Sequence, residues 1–305
     1  MNRRIVIPRR EFLVGTSVMA AALVSESSAH AQRASLAGKI GLVSASAHAQ
    51  LTGAATGRKF SLLDLPKIMR DELDLSVIDL NTTSFPDFSN VDAKYIAQLI
   101  ATAEANKCQL TNLKMNQRGF DMNSPDKKIR DKAIAEYKRS IDIVAKLGCR
   151  WVRPLPSSGK PDIKLHVQSF RELCEYAETK QITVLVENFG WMSSEPNSVS
   201  DLVKRVGKNV AAGVDTGNWS GNSVRYPGLQ KSFPLAVTCD FKARRFAADG
   251  SHAEYDLKRC FDIAWKAGFR GPWAIEHSNR DSKQWFAGVK KIRVLLRQWT
   301  QEAEA

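Results

Sequence analysis

Eight short apolar runs alternate with amphipathic stretches between residues 39 and 299, and this alternation constrains the fold more than any other feature of the chain. The runs lie at 39–44, 76–80, 110–115, 150–155, 182–186 (ITVLV), 211–214 (AAGV), 235–238 (LAVT) and 273–275 (WAI). Between them apolar residues recur at spacings of three and four, the period of a helix face. Ile134, Tyr137, Ile141 and Val144 run up to Gly148; Leu257, Phe261 and Ala264 run up to Gly268; Val289, Ile292, Leu296 and Trp299 form a last helix. A glycine just past such a face suits the left-handed residue that ends many helices. Helices also read at 61–73, 91–107, 164–179 and 198–207, with a short or irregular connection around 228–234. Strands alternating with helices build a parallel sheet, and eight such units predict one α/β domain, a closed (β/α)8 TIM barrel. No Gly-x-Gly-x-x-Gly follows the first run, which argues against a doubly wound nucleotide-binding sheet.

The first 31 residues stand apart from this pattern. Arg9-Arg10-Glu11-Phe12-Leu13 followed by an apolar stretch over 12–24 has the form of a twin-arginine signal, and Ala29-His30-Ala31 supplies small residues for cleavage. The pentapeptide at 28–32 recurs at 46–50, but cleavage there would remove the first strand. The expected organisation is therefore a removed leader over 1–31 and a barrel over 32–305, exported to the periplasm or beyond. The later runs are too short to cross a bilayer, so no stable membrane span is expected.

The net charge of +13 drops to +11 when a leader carrying four Arg and two Glu is removed. Lys and Arg are scattered along the helices without a basic run, a pattern that argues against nucleic acid as a partner and suits attraction of anionic small molecules. Cys108, Cys149, Cys174, Cys239 and Cys260 are odd in number and lie mostly within apolar stretches, as buried free thiols do.

Four acids, Glu187, Asp215, Asp240 and Glu276, each stand at or beside the end of an apolar run. A buried carboxylate is costly unless it is paired or bound to metal. In a (β/α)8 barrel the C-terminal ends of the strands converge on one mouth, where active sites lie. Four carboxylates there repel one another, and two remedies are open. A divalent cation, with oxygen ligands favouring Mn²⁺ or Mg²⁺ over zinc, is one; pairing with Lys242, Arg153 or Lys114 is the other. The same three cations can instead hold a substrate carboxylate or polarise a carbonyl. Trp191 and Trp219 are placed to stack on a sugar face, against rim packing, and His277 to touch substrate, against a packed histidine. His48 and His252 read as loop residues. With five histidines in all, a histidine-rich zinc cluster is not expected.

Val186-Glu187-Asn188-Phe189-Gly190, Val214-Asp215-Thr216-Gly217-Asn218, and Asp256 followed by Ala267-Gly268-Phe269-Arg270-Gly271-Pro272-Trp273-Ala274-Ile275-Glu276 together resemble the xylose isomerase-like TIM-barrel sugar isomerases and epimerases, over roughly residues 39–299. The resemblance implies that Glu187, Asp215 and Glu276 coordinate a divalent metal and that Glu187 and Glu276 exchange protons with a sugar through an enediolate. Two departures accompany it. Asn218 stands where the family's Asp-x-x-His has histidine, and Asp240-Phe241-Lys242-Ala243 stands where His-x-Lys-Asp is usual. Either Asp240 replaces the histidine as a ligand, or the register shifts and Cys239 or Lys242 faces the mouth. The expected activity is isomerisation or epimerisation of a small sugar, unphosphorylated or oxidised in an exported protein. A keto-sugar lyase on the same site and a non-catalytic sugar-binding barrel are the alternatives.

Overall fold

Eight parallel strands pair in chain order and close on themselves: β1 (Ile40–Val43), β2 (Val77–Asn81), β3 (Gln109–Met115), β4 (Trp151–Pro154), β5 (Thr183–Val186), β6 (Val210–Asp215), β7 (Ala236–Lys242) and β8 (Trp273–Glu276). Closure is made by β1 against β8, where Leu42 pairs with Ile275. The predicted (β/α)8 TIM barrel is therefore the observed fold. This is a computed structural model that describes residues 35–116, 119–156 and 159–305, and the leader expected over 1–31 lies outside the described residues. The chain divides at Leu36, with the whole barrel in the unit Ala37–Ala305.

The connecting helices are α1 (Leu65–Ile68, continued by a π-turn over Met69–Leu73), α2 (Ala93–Ala105), α3 (Lys127–Lys146), α4 (Ile163–Glu178), α5 (Ser198–Val206), α6 (Asn222–Ser232), α7 (Leu257–Lys266) and α8 (Ser282–Glu304). An aspartate starts five of them: Asp92, Asp126, Asp162, Asp256 and Asp281 each accept a hydrogen bond from a backbone N–H of the first turn. These bonds satisfy donors that the helix itself cannot. At the other end of α3, Gly148 takes φ +69°, the left-handed conformation predicted for it. The helices bury one face against the sheet: Ile134, Tyr137, Ile141 and Val144 of α3 all lie in the core, as do Val289, Ile292, Leu296 and Trp299 of α8.

Three local expectations are corrected. The seventh run continues past Thr238 to Lys242, because Phe241 packs outward against Trp273 and Trp299 while Asp240 and Lys242 are neutralised in the mouth. Charged residues that look like the end of an apolar run are here the inner face of a longer strand. Residues 222–232 form a helix despite Pro227, whose ring and the neighbouring Gly228 hid the helical pattern. His48 opens a single helical turn, His48–Leu51, and is not a loop residue. Among the described residues no helix is long and apolar enough to cross a membrane. The five cysteines are buried free thiols.

Candidate active site

The strand ends assemble eight charged residues at one mouth: Asp79 from β2, Lys114 from β3, Arg153 from β4, Glu187 just after β5, Asp215 from β6, Asp240 and Lys242 from β7, and Glu276 from β8. Strand register brings them together. Lys114 pairs with Arg153, Asp215 with Asp240, and Lys242 with Glu276, and residues paired across a parallel ladder present their side chains on the same face. All are buried except Glu276, whose side chain is 21% exposed.

Each carboxylate meets a cation. Arg153 Nε lies 2.7 Å from Glu187 Oε2. Lys114 forms an ion pair with Asp240 and lies 3.9 Å from Asp79. Lys242 Nζ lies 2.8 Å from Asp215 Oδ2 and 2.8 Å from Glu276 Oε1. Asn218 ties two of these groups together: Lys242 Nζ donates to its Oδ1 at 2.6 Å, and its Nδ2 donates to Glu187 Oε1 at 2.9 Å. Asp215 is fixed further by the backbone N–H groups of Gly217 and Asn218, at 2.6 and 3.0 Å. Asn188 holds the backbone of Asp215 at both its N–H and its carbonyl.

Lys242 sits in a fitted seat. Its backbone N–H donates to Thr216 Oγ1 at 3.0 Å, and its carbonyl accepts from the Tyr255 hydroxyl. A Cβ on Gly217 would fall 2.7 Å from Lys242 Cδ and 2.8 Å from the Tyr255 oxygen, so only glycine leaves room for the lysine stem. Arg225 lies over the Tyr255 ring at 3.9 Å and donates to the Thr216 carbonyl at 3.0 Å, bracing the seat from behind.

Burial and charge compete at these groups. Burial pushes the Asp215 carboxyl up to about 6 although Lys242 pulls it down, with Glu276 and Glu187 adding to the rise. Burial likewise raises Asp79 against the pull of Lys114. For Glu276 burial also acts upward, but Lys242 and Lys114 outweigh it and hold the carboxyl below its ordinary value. Burial alone would lower the Lys242 ammonium; Asp215 and Glu276 reverse that and raise it well above the usual lysine range. At neutral pH Lys242, Asp215 and Glu276 are therefore all charged.

Oxygen atoms of Glu187, Asp215 and Asp240 lie within 4.8 Å of one another, close enough to share an ion, and Glu276 is not part of that group. Each of the three is nonetheless engaged by its own buried cation, and the space between Asp215 and Glu276 is filled by the Lys242 ammonium. Magnesium binds oxygens at about 2.0–2.1 Å, whereas the oxygens around Lys242 stand at 2.6 to 2.8 Å, the length of a charge-assisted hydrogen bond. As arranged, Glu187, Asp215 and Asp240 keep the spacing of an ion-binding triad, each with one buried oxygen that no hydrogen bond satisfies, while the place an ion shared by Asp215 and Glu276 would take is filled by Lys242.

Asn218, Lys242, Arg153 and Lys114 thus join the carboxylates in one network. Trp219 and His277 lie elsewhere. Trp219 is buried, with its six-membered ring against Gly228. His277 is buried too: its Nδ1 is 2.6 Å from the Ala243 carbonyl and its ring fills the space beside Gly288. Trp191 packs against His166, with Lys160 above its ring. Asp79 was missed although it carries the same signal, an acid inside an apolar strand; Tyr255, Thr216 and Arg225 support Lys242 through tertiary contacts that no local pattern announces. A cavity of about 1090 Å³ opens between the loops after β3, β4 and β5, walled by Phe120, Leu155, Pro156 and Phe189. Phe189 is exposed and its ring centroid is 6.0 Å from the Arg153 guanidinium, so the cavity adjoins the charged network.

Residues 72–299 match the family described as xylose isomerase-like TIM barrel. No curated protein matches the chain. Among solved structures, D-psicose 3-epimerase of Clostridium cellulolyticum H10 with D-tagatose is similar with a TM-score of 0.65 at 14% identity, over 86% of this chain and 98% of that one. D-allulose 3-epimerase of a Methylomonas species gives 0.66 at 14%, over 86% and 97%. A xylose isomerase-like TIM barrel protein of Mycobacterium smegmatis in complex with magnesium gives 0.60 at 18%, over 88% and 98%. At these identities the likeness is one of fold.

Proposed function

The chain belongs to the xylose isomerase-like TIM-barrel family, and we propose that it is a carbohydrate isomerase or epimerase working through an enediolate. The observation that carries this reading is Glu276, a carboxylate kept ionised by Lys242 and Lys114 yet partly open to the mouth, beside a network that ends in the second glutamate, Glu187. A proton on carbon next to a sugar carbonyl is removed only by a positioned base. Glu276 is that base. Glu187, held by Arg153 and Asn218, is the second proton-handling group, placed to serve the other face once substrate displaces one of its partners. Delivery of a proton from Glu187 to the same carbon on the opposite face epimerises it; delivery to the neighbouring carbon, with the hydroxyl proton there passing to the other oxygen, isomerises the sugar.

Similar folds that carry epimerase names support a sugar substrate. The exposed Phe189 offers an apolar face beside the network, suited to the C–H side of a sugar ring. Export through the leader read from residues 1–31 favours an unphosphorylated or oxidised sugar, and the buried cations Arg153 and Lys114 suit an acidic one. Incubation with keto- and aldo-sugars in D₂O tests the function: deuterium enters one carbon of the true substrate, and Glu276→Gln abolishes the exchange. A panel of such sugars that takes up no deuterium would sink the reading.

A further inference from the structure

We infer that the ammonium of Lys242 is the built-in cation of this barrel, standing where a divalent ion would otherwise neutralise Asp215 and Glu276, and that it stabilises the substrate oxyanion itself. Three oxygens surround it at 2.6 to 2.8 Å, those of Asp215, Glu276 and Asn218, and they come from two segments of the barrel mouth, the end of β6 with its following turn and the end of β8. An ammonium has three N–H donors; one is given to Asn218, and the two carboxylates flank the charge at ion-pair distance. The seat is built for it, with Thr216 and Tyr255 gripping the backbone of Lys242 and Gly217 clearing its stem. The neighbouring carboxylates are served in the same way: Lys114 takes Asp240 and Arg153 takes Glu187. Each carboxylate of the mouth thus faces a protein cation.

The catalytic half of this inference rests on the enolising function proposed above; the place of the cation does not. In the step itself, Glu276 takes the proton from the carbon beside the carbonyl. The C–H electron pair becomes the C=C bond, and the carbonyl π pair moves onto oxygen. As Glu276 is protonated its hold on the ammonium weakens, and one N–H of Lys242 turns to the new oxyanion, a preorganised donor where charge develops. Reversal of the electron flow with proton return to carbon completes the cycle, with no redox partner.

Metal content and Mn²⁺ titration of the full chain test the inference without any substrate. Wild-type protein purified without chelator should carry substoichiometric divalent metal and show no Mn²⁺-induced rise in melting temperature. Lys242→Ala, with its cage of oxygens opened, should bind one Mn²⁺ with affinity about tenfold or more above wild type and melt higher when loaded. Lys242→Gln, which keeps a stem and hydrogen-bonding groups, serves as the second variant. Stoichiometric metal in the wild type would overturn the inference, as would failure of both variants to take up Mn²⁺. Deuterium exchange that survives chelation in the wild type but is lost in Lys242→Gln supports the catalytic half; exchange that requires added metal overturns it. If the metal results hold and no sugar exchanges deuterium, the cation keeps its place and the enolising function falls.

Discussion

Lys242 and Glu276 are register partners on β7 and β8, and their side chains meet at 2.8 Å in the barrel mouth. The sheet itself therefore sets this ion pair, and the same register lays Asp215 beside Asp240, two like charges that no ladder can relieve. Relief comes from opposite sides, Lys242 on Asp215 and Lys114 on Asp240. A mouth built this way trades the flexibility of an exchangeable ion for fixed charges whose geometry is part of the fold.

Arg153 is the first of those charges open to test. It is buried with Glu187, and removing one partner of a buried pair leaves the other uncompensated, at about 3–5 kcal/mol. Arg153→Met should lower stability by that order in chemical denaturation, and the double variant Arg153→Met/Glu187→Gln should recover part of the loss. Equal destabilisation in single and double variants would show that the guanidinium matters for packing and not for charge.

Asn218 links the two glutamates electrically, donating to Glu187 and accepting from Lys242. Hydrogen bonds to charged groups are worth roughly 1.5–3 kcal/mol, so Asn218→Ala should slow deuterium exchange about tenfold to hundredfold. The melting temperature should fall as well, so exchange is compared at temperatures where both proteins are fully folded.

The barrel, its eight strands and most of its helices were legible because burial imposes a period, and a period survives in sequence. The strand-end acids were legible for the complementary reason, that a carboxylate in an apolar run needs an explanation. What the sequence left open was the remedy. Whether Asp215 and Glu276 face a metal or a lysine depends on β7 running on to Lys242 and on Gly217 leaving space for its stem, and both are settled by packing between segments distant in the chain. Trp219 and His277 misled for the same cause: residues flanking good motifs took their orientation from Gly228 and Gly288, not from the site.

Stability should depend on pH through Asp215. Its folded carboxyl titrates near about 6, above the ordinary 3.8, because burial outweighs Lys242. Between these values the native state holds a proton that the unfolded chain has released, so this contribution is full below about pH 4 and lost as pH rises through about 6. Relative to Asp215→Asn, wild-type stability should therefore fall as pH goes from 5 to 7, with a slope of up to about 1.4 kcal/mol per pH unit. Glu276 has the opposite sign: held below its usual value, it contributes above the ordinary carboxylate range and loses that contribution only as pH falls further. Parallel curves for wild type and Asp215→Asn across this window would refute the assignment to Asp215.

Gly217 offers the sharpest separation of fold from site. An added Cβ meets Lys242 Cδ at 2.7 Å and the Tyr255 oxygen at 2.8 Å, and Tyr255 is itself anchored to the Lys242 carbonyl, so neither neighbour can simply swing away. Overpacking of this kind costs about 1–3 kcal/mol, and Gly217→Ala should lower the melting temperature accordingly. Gly221 lies four positions on, in extended backbone with φ 174° and with nothing within 4 Å of its would-be Cβ, so Gly221→Ala should leave exchange unchanged and cost only glycine's preference over alanine at this helix N-cap. Because the Gly217 methyl displaces the lysine stem, exchange should fall in Gly217→Ala by more than its loss of stability accounts for, even at temperatures where the variant is fully folded. A folded Gly217→Ala protein with wild-type exchange would mean that the exact placement of Lys242 is immaterial to the reaction.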